Sequence, residues 1–246
     1  MPHTLYISDL DGTLLQNDAT LSSFAKEKLT WLATHTNLCF SIATARTSAS
    51  ALRILQDIPF SCPIVLMNGV ILYDTIRRRE VNVEYLSHSA VESIIHSLHK
   101  NEVNGFLYQL QDQELITYYE QLDSPSMQLF VEERVQRYQK RFIQTSFTNI
   151  ADENILYFTL LGSKHELDQV YQDICLLPEV NATFYKNTYE PDSWYLEIFS
   201  GNASKRHAIE RLRRDYGFDR VVCFGDNLND LPMFEISDVS CAVGNA

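Results

Sequence analysis

The chain has 246 residues, 45% of them hydrophobic, and a net charge of −12. That length can bury the core of one large domain or two modest ones. The acidic balance argues against nucleic acid or an anionic membrane as main partner, since both need a basic footprint. Anionic small molecules stay open, because a bound cation and a few local Lys or Arg side chains set the field inside a cleft. Five cysteines without a C-x-x-C pair make neither a disulfide framework nor a zinc site, and the odd count fits a reducing compartment. Residues 1–5 lack the charged start of a signal peptide. No apolar run approaches the roughly 20 residues that cross a bilayer, so a cytoplasmic protein is expected.

In chain order, residues 5–8 (LYIS) read as a short apolar strand. Residues 22–34 carry Phe24, Ala25, Leu29 and Leu32 at helical spacing behind a capping Ser22. A buried strand at 38–43, a helix at 49–56 and a strand at 64–67 follow, the last closed by Asn68-Gly69. This β-α-β-α-β rhythm with near-continuous apolar strands predicts a parallel sheet covered on both faces.

The rhythm then changes. Residues 71–74 and 81–85 read as a hairpin around Arg77, Arg78 and Arg79, a solvated turn rather than an anion site. Val91, Ile94, Ile95 and Leu98 mark an amphipathic helix, 106–110 and 115–119 paired strands, and 127–142 a charged helix. A strand at 156–161, a helix at 166–176 and a short strand at 183–185 complete an α+β block inserted into the first domain. From Trp194 the first style resumes: a strand at 195–199, a helix at 204–214, a strand at 221–224, a helix from Asp230 and a last strand at 240–243. The expected organisation is a Rossmann-like α/β core of residues 1–83 and 191–246 with an inserted α+β domain of residues 84–190.

Two acidic clusters follow apolar strands at opposite ends of the chain: Asp9-Leu10-Asp11-Gly12-Thr13-Leu14-Leu15 and Gly225-Asp226-Asn227-Leu228-Asn229-Asp230. Asp9 and Asp11 leave an extended strand on the same face. Folding alone gives no reason to gather like charges there; a divalent cation and a phosphate-bearing substrate do. In that reading Asp9 attacks phosphorus and becomes transiently phosphorylated, and Asp11 is the general acid and base. Magnesium, a hard ion, takes oxygen ligands from Asp9, the Asp11 carbonyl and Asp226, which leaves the Asp11 side chain free. Thr44 offers a hydroxyl and a backbone N–H to the phosphoryl oxygens. Lys205 adds positive charge at a helix N-terminus. Arg46 either touches substrate or pairs with a neighbouring carboxylate.

These four elements, in this order, resemble the signature motifs of the haloacid dehalogenase superfamily. The insertion between Thr44 and Lys205, the Asn68-Gly69 turn and Leu196-Glu197-Ile198 look like its Cof-type branch, sugar-phosphate phosphatases with a IIB cap. The resemblance implies Asp9 as nucleophile and metal ligand, Asp11 as acid/base and carbonyl ligand, and Asp226 as the remaining Mg²⁺ ligand. It further implies phosphate contacts from Leu10, Thr44, Ala45, Lys205 and Asn229, with Asp230 bracing the lysine or the metal shell. A carboxylate at Asp11 points to a phosphomonoester as substrate.

Two departures stand out. Ala45 replaces the glycine of the usual T-G-R, which is harmless unless the position needs a glycine-only angle. Relatives of this kind typically continue beyond Gly244-Asn245-Ala246 through a final helix and loop, and the catalytic set is expected to be independent of that region. Tyr118, Tyr119, Tyr185, Tyr189 and Trp194 are candidates for the substrate-facing side of the inserted domain, although most aromatics are core, and Tyr189, Asp192 and Trp194 at the return linker are candidates for substrate contact. His207 is expected at the surface. The expected partner is a small phosphorylated metabolite, not nucleic acid or membrane, with the oligomeric state open. A phosphosugar mutase and a non-catalytic sensor of phosphorylated ligands are the competing functions.

Overall fold

A computed structural model describes residues 3–35, 38–112, 114–151, 153–187 and 192–246. The chain forms two compact units, one of Met1–Val83 with Ala203–Ala246 and one of Glu84–Asn202. Among the described residues no helix is long and apolar enough to cross a membrane.

The first unit begins with β1 (Thr4–Ser8), α1 (Ser23–His35), β2 (Cys39–Ile42), α2 (Ser48–Ile54), β3 (Ile64–Leu66), β4 (Ile71–Asp74) and β5 (Arg79–Val83). The second unit holds α3 (His88–Lys100), β6 (Phe106–Gln111), β7 (Glu114–Tyr119), α4 (Pro125–Tyr138), β8 (Arg141–Gln144), β9 (Ile155–Gly162), α5 (Lys164–Ile174), β10 (Val180–Lys186) and β11 (Trp194–Ser200). The chain then returns to the first unit as α6 (Lys205–Tyr216), β12 (Arg220–Gly225), α7 (Leu231–Phe234) and β13 (Val239–Ala242).

Four parallel strands in the order β13-β12-β1-β2 make the main sheet of the first unit. Leu5 and Ile7 of β1 and Val221 and Cys223 of β12 have no exposed surface and pack with Ile209 and Leu212 of α6. The pairing of β1 with β12 runs from Thr4 opposite Arg220 to Ser8 opposite Phe224. Their carboxyl ends are therefore level, and ligands bind beyond those ends in sheets of this type.

The third predicted parallel strand behaves differently. β3 meets the main sheet only through the parallel bridge of Ala43 with Val65, and it pairs antiparallel with β4 in a separate β3-β4-β5 sheet. Met67, Asn68 and Gly69 all have positive φ, so the chain reverses at once after β3. A tight reversal allows only antiparallel pairing, since parallel neighbours need a long crossover.

The second unit is a six-stranded sheet, β10-β11-β9-β6-β7-β8, with α3 and α5 contributing to its core. Ser87, Ser124 and Ser163 cap α3, α4 and α5 by accepting a backbone N–H from the first helical turn, and Glu166 completes a capping box at Ser163. The predicted helix at 127–142 ends at Tyr138, because Gln139 turns left-handed; Arg141–Gln144 is instead β8, parallel to β7. A left-handed cap is normally signalled by Gly or Asn, and Gln carries no such signal.

One boundary also needs correcting. The strand expected to rejoin the core at 195–199 is β11, which lies between β9 and β10 in the second unit's sheet. The chain re-enters the first unit at Ala203 rather than at residue 191. An apolar strand signals burial but not which sheet will take it, and Leu196 and Ile198 are fully buried against Phe158, Leu160 and Leu167. Leu196→Ala should therefore destabilise the second unit by about 2–5 kcal/mol. Denaturant unfolding followed by circular dichroism measures this, and a loss below about 1 kcal/mol contradicts the packing described.

Candidate active site

β1 ends at Ser8, and the next residue, Asp9, is 5% exposed. Its backbone N–H donates to the Phe224 carbonyl of β12 (2.9 Å), so the neighbouring strand fixes where this carboxylate emerges. β12 ends at Gly225 and delivers Asp226 alongside. Oxygen atoms of Asp9, Asp226 and Asp230 lie within 4.8 Å of one another. The two acidic motifs, far apart in sequence, thus converge because β1 and β12 are parallel neighbours.

Lys205, 1% exposed, stands between two of these carboxylates, donating to Asp9 Oδ1 (2.7 Å) and to Asp230 Oδ1 (2.6 Å). It is the first residue of α6, whose N-cap Ser204 accepts the His207 N–H (3.0 Å). Asp230 is fully buried, and its other oxygen accepts the backbone N–H groups of Asp226 (2.8 Å) and Asn227 (3.1 Å). That fold-back needs Gly225: a Cβ there would stand 2.5 Å from Asp230 Oδ2. Gly12, at φ +83°, is likewise covered by the Asp226 carboxylate, which would lie 2.2 Å from an added Cβ.

Burial pushes the Asp9 carboxyl up to about 7, against the pull of the Lys205 ammonium and with added push from Asp230 and Asp11. Desolvation works against the charge of Lys205, but Asp9 and Asp230 outweigh it and raise its pKa above the ordinary lysine value. Burial also raises Asp226, opposed by the Thr13 hydroxyl that donates to its Oδ1 (2.8 Å). Three clustered carboxylates around one ammonium form an oxygen-only donor set with surplus negative charge. Their chemistry fits a hard divalent cation such as Mg²⁺.

The remaining predicted residues fall as follows. The Asp11 side chain is not free: Arg46 grips it with Nε (2.7 Å) and Nη2 (2.6 Å), a bidentate pair. Thr44 is fully buried just beyond β2, but its backbone N–H donates to the Val65 carbonyl (3.0 Å), so only its hydroxyl is a candidate phosphoryl donor. Val65 comes from β3, and this bond belongs to the parallel bridge of Ala43 with Val65. Ala45 has no positive φ, so the missing glycine angle is not required here. Leu10 is buried, and Asn229 sits half-buried in the 3₁₀ turn Leu228–Asp230.

Arg77 pairs with Asp74 in its own hairpin, and His207 is exposed. Tyr118 is buried in the second unit's core and Trp194 packs against it. Tyr185 is largely buried, and burial with the nearby Glu197 raises its phenol well above the ordinary value. Tyr119 stacks edge-on with Phe106, and Asp192 is exposed. Tyr189 lies outside the described residues. Thr13 was missed by sequence reasoning, although its place two residues after Asp11, on a turn opened by glycine, was a usable signal.

With this geometry in hand, the class is defined: the chain belongs to the haloacid dehalogenase-like hydrolase family, whose pattern it matches over residues 6–246. It is 24% identical over 252 residues to a Bacillus subtilis protein named 5-amino-6-(5-phospho-D-ribitylamino)uracil phosphatase, covering 96% of this chain and 85% of that one. It is 24% identical over 250 residues to the Escherichia coli pyridoxal phosphate phosphatase, covering 97% and 86%. In fold it is similar to a solved subclass IIB sugar phosphatase of the superfamily, with a TM-score of 0.76, 18% identity and coverage of 99% and 88%.

Two outcomes follow from the site. Because the folded-state pKa of Asp9 lies above its ordinary 3.8, the native state keeps this proton longer than the unfolded chain. The group leaves folding unpenalised below pH 3.8 and penalises it increasingly as pH rises to about 7. Asp9→Asn should flatten the fall in stability between about pH 4 and pH 7 in chelator, measured by urea midpoints; an unchanged slope contradicts it. Asp230→Ala strips Lys205 of one buried partner and orphans two backbone N–H groups, and should lower unfolding free energy by about 3–5 kcal/mol.

Proposed function

We propose that this protein is a Mg²⁺-dependent phosphomonoesterase that hydrolyses a small phosphorylated metabolite, a sugar or polyol phosphate, through an aspartyl-phosphate on Asp9. The observation that carries the reading is the buried ammonium of Lys205 between Asp9 and Asp230, with Asp226 in the same cluster. A fixed positive charge beside a carboxylate at the carboxyl end of a parallel strand is what an incoming phosphoryl dianion needs.

Asp9 attacks phosphorus and forms an acyl phosphate, splitting one difficult displacement into two. Lys205 compensates the charge of the equatorial oxygens, and the Thr44 hydroxyl donates a hydrogen bond to one of them. Asp11 gives a proton to the leaving oxygen and later takes one from water. Both its oxygens are held by Arg46, so one must be released before Asp11 can carry that proton; the phosphate oxygens of an arriving substrate are the competing partner for the guanidinium. Asp9, Asp226 and the Asp11 carbonyl would hold Mg²⁺, which supplies charge neutralisation and fixed phosphoryl geometry when bound. Asp230 stays with Lys205 as its brace.

Support for a phosphate ester comes from the two relatives, each named for a phosphomonoester, and support for a sugar or polyol from the ribityl group of one and the sugar phosphatase of like fold.

Phosphate release from hexose phosphates, pentose phosphates, flavin mononucleotide and pyridoxal phosphate tests the reading. Activity should vanish in excess chelator and return with Mg²⁺. Asp9→Asn should lower kcat by at least about a thousandfold. Wild-type rates in Asp9→Asn, or full activity in chelator, would sink the proposal.

A further inference from the structure

Residues Val243–Asn245 lie across both acidic loops. The Val243 N–H donates to the Gly225 carbonyl (3.1 Å), immediately before Asp226. The Asn245 side-chain amide donates to the Gly12 carbonyl (2.8 Å), immediately after Asp11, from 233 positions away in sequence. The Ala246 N–H closes back on the Val243 carbonyl (3.0 Å), a turn that presents the Asn245 amide.

Gly12 is where such a tie matters. Its peptide is left-handed and has no side chain to anchor it, and the Asp226 carboxylate occupies the place of a Cβ. Thr13, next in the chain, donates to the same carboxylate (2.8 Å). The turn is thus bounded by Asp226 on one side and by the Asn245 amide at its carbonyl. Without that amide the Gly12–Thr13 peptide is left with the longer bond from the Thr13 N–H to the Leu10 carbonyl (3.3 Å), and a shift of this peptide moves the Asp11 carbonyl on one flank and the Thr13 hydroxyl on the other. The first is an expected ligand of the candidate cation site, and the second donates to Asp226, another of those ligands.

We propose that Asn245 is a positioning residue of the acidic site, holding the Gly12 turn so that the Asp11 carbonyl and Asp226 keep the spacing a divalent cation needs. This rests on the phosphatase reading. Asn245 touches none of the reacting groups and acts only through the turn. Its hydrogen bond is exposed, so its loss should weaken the site rather than abolish it.

The test compares wild type with Asn245→Leu, which keeps the approximate shape and removes the donor, and Asn245→Gln, which keeps a donor on a longer side chain. Calorimetry on substrate-free protein with MgCl₂ should show affinity about fivefold weaker in Asn245→Leu. With p-nitrophenyl phosphate, kcat should fall by about five- to tenfold while KM stays within about twofold and Tm within about 2 °C. Asn245→Gln should recover part of the loss. Equal Mg²⁺ affinity and kcat in Asn245→Leu and wild type overturn the proposal while leaving the phosphatase reading intact. A fall in kcat that tracks a comparable fall in Tm, with Mg²⁺ affinity unchanged, also overturns it. Wild-type protein that releases no phosphate from any ester overturns the phosphatase reading, and this inference with it.

Discussion

An ammonium group with almost no exposed surface keeps its charge only if carboxylates come with it into the interior. Lys205 has two, Asp9 and Asp230, and the pairing governs the rest of the first unit. Asp9 must sit at the end of β1, Asp230 must fold back over Gly225, and α6 must begin where its first side chain reaches both. Removing one partner strands a buried charge, which costs far more than the pair contributes when intact. The same arrangement leaves Asp226 with the neutral Thr13 hydroxyl as its hydrogen-bond partner, so the cluster is arranged to favour a further positive charge.

The sheet supplies the geometry. β1 and β12 are parallel and in register, so two loops from opposite ends of the sequence emerge at one height. The Gly12 turn, the 3₁₀ turn Leu228–Asp230 and the β3–β4 reversal then gather around that edge through backbone hydrogen bonds. Examples are Asn68 N–H to the Thr44 carbonyl (3.0 Å) and Met67 N–H to the Arg46 carbonyl (3.1 Å). Loops tied this way hold side chains to within the fractions of an ångström that phosphoryl chemistry requires. The second unit has its own core and caps and is stable by the ordinary means of a sheet with helices against it.

Much of this was legible beforehand because the signals were local. Asp9, Asp11, Asp226 and Asp230 declared themselves as polar residues where apolar strands end, and Ser22 and Ser204 lie at or beside helix starts. What escaped detection was non-local. β11 and a core strand are equally apolar, and only pairing with β9 and β10 separates them. β8 was hidden behind a left-handed Gln139 that no composition rule anticipates. The Thr44 N–H was assigned to substrate because nothing in the sequence says that Val65 lies opposite.

The sequence by itself determined the chemistry: which residue types stand at the strand ends, in what order, and hence the oxygen-rich, phosphate-directed character of the site. Those are properties of side chains and of short-range periodicity, which survive in a linear string. The tertiary structure alone decided which groups remain available to do that chemistry. Arg46 takes both oxygens of Asp11, Val65 takes the N–H of Thr44, Asp230 is committed to Lys205, and Asn245 reaches back to Gly12. A hydrogen bond depends on two groups meeting within about 3 Å, and for residues far apart in the chain that meeting is set by strand order and turn geometry.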